Sequence, residues 1–95
     1  MAKPLFGMAF GPHATAYLDR MSPGKIRAQI VKKARALILD PRPPGSVKLH
    51  NITSDTKEPI YRVRSGDYRI LYVVRTNPHS LVLVIDIDDR KDVYR

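Results

Sequence analysis

The sequence predicts an α+β domain: an N-terminal strand, then a two-helix hairpin packed on one face of a mainly antiparallel four-stranded sheet. Three observations predict it. Apolar residues recur at helical spacing only between residues 13 and 38, whereas the strand-like runs gather after residue 58. A Gly66-Asp67 pair separates two alternating runs, the pattern of a tight hairpin. Aspartate, glycine and three prolines crowd residues 40–45, closing the helical half before the sheet begins. With 95 residues the chain forms one domain, 1–95, with room for a single modest core.

Taken in order, Leu5 to Phe10 is a short apolar run stopped by Gly11-Pro12, an opening strand. Ala14, Tyr17, Leu18 and Met21 then fall on one helical face. Ser22-Pro23 reads as the start of a second helix, Ser22 capping and Pro23 in the first position. Its apolar stripe is Ile26, Ile30, Ala34, Leu37 and Ile38, and Asp40-Pro41-Arg42-Pro43-Pro44-Gly45 ends it. Residues 45–57 mix Val47, Leu49 and Ile52 with polar neighbours and are expected to be a loop with one strand-like piece. The hairpin follows, running to about Arg75, and Thr76 to Ser80 make a turn. Leu81-Val82-Leu83-Val84-Ile85 is apolar at every position and is expected to be a central strand covered on both faces.

Composition narrows the function. The formal net charge is +8, and residues 20–48 hold eight basic side chains against the single acid Asp40. Such a balance favours an acidic partner, nucleic acid before acidic protein or anionic membrane. No apolar run approaches the roughly 18 residues of a membrane span. The absence of cysteine excludes disulfides, thiolate metal sites and a cysteine nucleophile. His13, His50 and His79 lack ligand spacing, and Asp86 and Asp88 alternate with Ile87 as charge partners for nearby arginines would. The expectation is a cytoplasmic protein, since no signal-peptide core follows Met1-Ala2-Lys3-Pro4, with neither metal nor cofactor.

The hairpin 61–72 carries the most specific signal. A two-residue Gly66-Asp67 loop with glycine first meets the type II′ preference and pairs Arg64 with Arg69, Val63 with Ile70, Arg62 with Leu71 and Tyr61 with Tyr72. Arg62, Arg64 and Arg69 then share one face, and Tyr61, Val63, Ile70 and Tyr72 the other. A three-residue Ser65-Gly66-Asp67 loop would divide the arginines between faces. Directly opposed arginines repel, a cost that a bound polyanion would offset; an exposed strand face also carries arginine for solubility alone.

The chain resembles the RelE/ParE superfamily of toxins from bacterial type II toxin–antitoxin systems. The residues that carry the likeness are Asp40 to Gly45, Lys48-Leu49, Tyr61-Arg62-Val63-Arg64, Gly66-Asp67-Tyr68-Arg69-Ile70-Leu71-Tyr72 and the terminal Arg90-Lys91-Asp92-Val93-Tyr94-Arg95. The resemblance implies a RelE-like fold and, on the RelE-like branch, a ribosome-dependent mRNA endoribonuclease that cuts the message in the A site and is neutralised by a cognate antitoxin. It would place Arg62, Arg64, Arg69, Arg90 and Tyr94 in the catalytic constellation. Two departures stand out. Asp88 and Asp89 occupy the positions where many relatives have Gly-His, and the first hairpin strand carries arginines where some relatives have lysines.

Metal-independent cleavage uses the neighbouring 2′-hydroxyl as nucleophile. Arginines suit the stabilisation of charge on phosphorus, but they stay protonated and are poor proton acceptors. Tyr94, Asp89 and Lys48 are the candidate acceptors. Lys25, Lys32, Lys33 and Lys48 are candidate RNA-binding residues through attraction to phosphate, although the same helix face would serve solubility. Two rival functions are a ParE-like toxin that poisons DNA gyrase and a toxin relic that only binds antitoxin or RNA.

Overall fold

The computed structural model describes residues 6–54 and 56–89. Arg90 and Tyr94 lie outside the described residues. Strand β1 (Gly7–Phe10) leads into α1 (Pro12–Arg20) and α2 (Lys25–Ala36). Four strands follow: β2 (Val47–Thr53), β3 (Pro59–Ser65), β4 (Tyr68–Arg75) and β5 (Leu81–Asp89). They form one mixed sheet in the order β1-β5-β4-β3-β2, antiparallel throughout except for the parallel β1–β5 pair. The α+β class, the N-terminal strand and the helix pair on one face are as the sequence predicts.

Proline and glycine place the helix ends. Pro12 opens α1 because the first helical position needs no backbone N–H. Gly11 before it donates its N–H to the Val84 carbonyl at 2.8 Å, and a Cβ there would meet that same oxygen at 3.4 Å. The second helix starts later than Ser22-Pro23 suggests. Gly24 precedes its first turn and accepts from the Ala28 N–H at 3.0 Å, so Ser22 is not its cap. At its other end Leu37, Ile38 and Leu39 donate to carbonyls three residues back, a tightened last turn.

Both helices bury their stripes against the same sheet face. Ala14 and Leu18 from α1, Ile30 and Ala34 from α2, and Leu37 just beyond meet Val63, Ile70, Tyr72, Val82, Val84 and Ile87. α1 lies along β5, and α2 crosses β3 and β4. Ile26, expected in the stripe, is 53% exposed: it sits a turn ahead of Ile30.

Two expectations about strands are corrected. Residues 47–53 form a full edge strand, giving five strands in place of four; Val47 pairs with Arg62 and Lys48 with Tyr61 before the register shifts. An edge strand with one solvated side tolerates the polar residues that suggested a loop. β5 is not covered on both faces. Its burial alternates, with Val82, Val84 and Ile87 under the helices and Leu81, Leu83 and Ile85 half-buried on the side away from them. A bulge between Leu71 and Tyr72 sets Asp86 opposite Leu71 and Val84 opposite Tyr72, leaving Ile85 as the extra residue. No helix among the described residues is long and apolar enough to cross a membrane.

Candidate functional site

The hairpin adopts the two-residue turn. Arg64 pairs with Arg69, Val63 with Ile70, Arg62 with Leu71 and Tyr61 with Tyr72. Gly66 has φ of 61° while Asp67 does not have positive φ, as a type II′ turn requires. Strand alternation therefore puts Arg62, Arg64 and Arg69 on the face turned away from the helices.

The three arginines are not equivalent. Arg69 is opposite Asp88 on β5, and its Nε donates to the Asp88 carboxylate at 3.1 Å; their side chains are 11% and 28% exposed. This pair moderates the repulsion between Arg64 and Arg69. Asp88 thus acts on the fold by holding a cation, and Asp86 accepts a hydrogen bond from the Ile87 N–H at 2.8 Å. Asp89, raised above as a proton acceptor, ends β5 opposite Tyr68. The side chains of Arg62 and Arg64 form no hydrogen bond or ion pair with any described residue. Lys48 lies opposite Tyr61 on the edge strand, hence on the helix side of the sheet. Lys25, Lys32 and Lys33 are exposed on α2, and Lys33 alone of these lines a cavity shared with Arg64.

Two features escape the sequence reading. The first is a cavity of about 450 Å³ on the open sheet face, where Ile60, Val73, Leu83 and Ile85 supply apolar lining and Glu58 and Arg75 a charged rim. Arg75 grips Glu58 with two hydrogen bonds, 2.8 and 2.9 Å, and Thr56 donates to the same carboxylate. The Arg75 and then the Thr56 hydrogen bonds hold the Glu58 carboxyl below its usual range. The stability this lends is present above the ordinary value of 4.5 and is lost as pH falls through the lowered one. Acid unfolding of Glu58→Gln, followed by circular dichroism, should consequently show a shallower limb below pH 4.5 than wild type. Equal limbs would mean the pair does not contribute. Simple alternation from Arg69 through Leu71 and Val73 to Arg75 is the signal that could have placed Arg75 on this face.

The second feature is an aromatic clamp on the residue 40–45 loop. Tyr61 and Tyr72 stack with ring centres 5.9 Å apart. Arg42 lies 5.6 Å over the Tyr61 ring and donates to its hydroxyl at 3.1 Å. Tyr72 donates its hydroxyl proton to the Pro41 carbonyl at 2.6 Å. The clamp fixes the loop that carries Pro44 and Gly45 beside Arg64.

Comparison with known proteins gives a family for this geometry. The family model described as the ParE toxin of the type II toxin–antitoxin system matches residues 10–94. No curated protein matches the chain by sequence. Two solved structures share the fold. One is the archaeal RelE–RelB complex from Pyrococcus horikoshii, with a TM-score of 0.72 and 19% identity over 90% of this chain and 96% of that one. The other is the toxin–antitoxin complex RelBE2 from Mycobacterium tuberculosis, with a TM-score of 0.69 and 24% identity over 90% and 98%.

The family match overturns the expected mRNA endoribonuclease. Toxins of the matched type act as gyrase poisons and not as nucleases, so the expected endoribonuclease activity does not hold. The expectation of ribosome and mRNA as partners depends on that activity alone. The chemistry of the described arginines fits the correction: guanidinium groups bind anions well and accept protons poorly.

Proposed function

Because the chain belongs to the ParE toxin family of type II toxin–antitoxin systems, we propose that it is a toxin that poisons DNA gyrase and is restrained by a cognate antitoxin. The match over residues 10–94 carries this reading. The open sheet face supports it. There Arg62 and Arg64, whose side chains have no hydrogen-bond or ion-pair partner among the described residues, share a face with half-buried Leu71, Leu83 and Ile85, a surface with the apolar centre and arginine anchors of a protein-binding patch. Of the two solved structures, the Mycobacterium tuberculosis one is a toxin–antitoxin complex and the Pyrococcus horikoshii one a RelE–RelB complex. With a net charge of +8 here, the expected antitoxin is acidic, since opposite potentials speed encounter and disfavour wrong partners.

The test uses purified chain, gyrase, ATP and relaxed plasmid. Supercoiling should stop at toxin in modest excess over gyrase, and equimolar antitoxin should restore it. Unimpaired supercoiling at large excess, by a preparation that still arrests growth when expressed, would sink the gyrase reading.

A further inference from the structure

The cations of this chain divide into two sets. Arg27, Arg42, Arg69 and Arg75 are held by protein: Arg27 donates to the Leu18 carbonyl at 2.9 Å, and the others engage Tyr61, Asp88 and Glu58. Arg20 rests over the Tyr17 ring, while the side chains of Lys25, Lys32, Lys33, Arg35, Lys48, Lys57, Arg62 and Arg64 make no hydrogen bond or ion pair with any described residue. Four of these, Lys33, Lys48, Arg62 and Arg64, lie together at the β2–β3 edge of the sheet and the part of α2 beside it.

The register explains the gathering. Val47 opposite Arg62 is the last rung between β2 and β3, so β3 continues through Val63, Arg64 and Ser65 with no strand on that side. The missing rung leaves a cavity of about 360 Å³ lined by Lys33, Pro44, Gly45, Val63 and Arg64. Its lining takes one cationic residue from the helix and one from the strand. Like charges sharing a cavity repel, and an anion held between them would remove that cost. Nearby, Lys48 extends the positive rim on the helix side of the edge and Arg62 on the open side.

We infer that this cavity seats a backbone phosphate of duplex DNA, with Lys48 and Arg62 meeting neighbouring phosphates along the strand edge. The inference rests on the gyrase reading, in which the toxin works beside bound DNA. The lining itself selects phosphate over bases. It contains no aromatic ring on which an unpaired base could stack, as single-strand binders provide. Its polar contacts are cationic, suited to a duplex whose bases are shut inside and whose surface carries one charge per roughly 1.7 Å of axis. Its occupant is thus read as position and charge, without sequence preference.

Fluorescence anisotropy with a labelled 20-base-pair duplex, titrated with full-length chain between 50 and 200 mM salt, tests this. The K33Q/R64Q double variant should bind at least tenfold more weakly, and its plot of log affinity against log salt should be shallower by about 2. The control is R20Q/K57Q, which loses the same charge at exposed positions away from the cavity and should stay within threefold of wild type. Equal losses in the two variants would show that binding follows net charge alone, which overturns the inference. So would tighter binding of a single-stranded RNA of equal length that also depends on Lys33 and Arg64. A wild-type chain that inhibits gyrase without binding duplex overturns the cavity assignment and leaves the gyrase reading intact. Duplex binding through the cavity by a chain that never inhibits gyrase does the reverse.

Discussion

Replacing Tyr72 with alanine should remove a large share of the stability of this protein. Tyr72 is the largest of the fully buried side chains and stands where α2, β3 and β4 meet. Truncating a buried aromatic costs about 3–5 kcal/mol, against a total of about 5–14 kcal/mol for a domain of this length. In a thermal melt that is a fall on the order of 15–30 °C. Tyr72→Phe separates the ring from its hydroxyl. It keeps the packing and the stack on Tyr61 but leaves the Pro41 carbonyl without its donor, for a loss of about 1 kcal/mol. Burial, the largest cause, pushes the phenol up to about 12. The neutral hydroxyl therefore favours the folded state, and stability drops as pH rises from the ordinary 10 toward 12. Tyr72→Phe should show a weaker alkaline decline. A Tyr72→Ala melt within a few degrees of wild type would refute this account of the core.

The second large effect is expected at Gly66. Its φ of 61° begins the turn, and nothing lies within 4 Å of where a Cβ would be. Any loss on substitution is thus a property of the backbone and not of crowding. Gly66→Val places a β-branched residue in left-handed space, costing about 2 kcal/mol, or on the order of 10 °C of melting temperature. Gly66→Asn should cost less, because asparagine tolerates positive φ. If valine and asparagine melted alike, the turn would not be the source of the strain. Loss of the two-residue turn would also loosen the pairing of Arg64 with Arg69, and with it the face on which the arginines emerge.

The contrast between this hairpin and the rest of the sheet shows what the sequence makes legible. Turn chemistry and alternation are local, so Gly66-Asp67 and its flanking residues determine the register from Tyr61 to Tyr72 with no outside help. The strand at 47–53 is not local in that sense. A polar residue such as Lys48 fits it because the strand lies at an edge, and that position becomes visible only when β3 is in place. The parallel pairing of β1 with β5 joins residues more than 70 positions apart, which no periodicity records. The candidate site divides in the same way. Alternation placed Arg62, Arg64 and Arg69 on one face, but the ion pair that sets Arg69 apart depends on Asp88 of another strand. The target of the toxin was misread for a further reason. A cluster of arginines attracts messenger RNA, duplex DNA and acidic protein by the same force, so charge at the hairpin does not distinguish them.

The position of β5 has a consequence for biosynthesis. It is the bridge between β1 and β4, and α1 rests along it. Until residues 81–89 are available, Met8, Phe10, Ala14 and Leu18 have no sheet against which to bury, although they are made first. The β2–β4 meander can assemble as it emerges, while the opening strand and first helix must wait for a distant partner. A nascent chain halted before β5 therefore lacks the closed core, and the fold closes only once the last strand of the sheet has emerged.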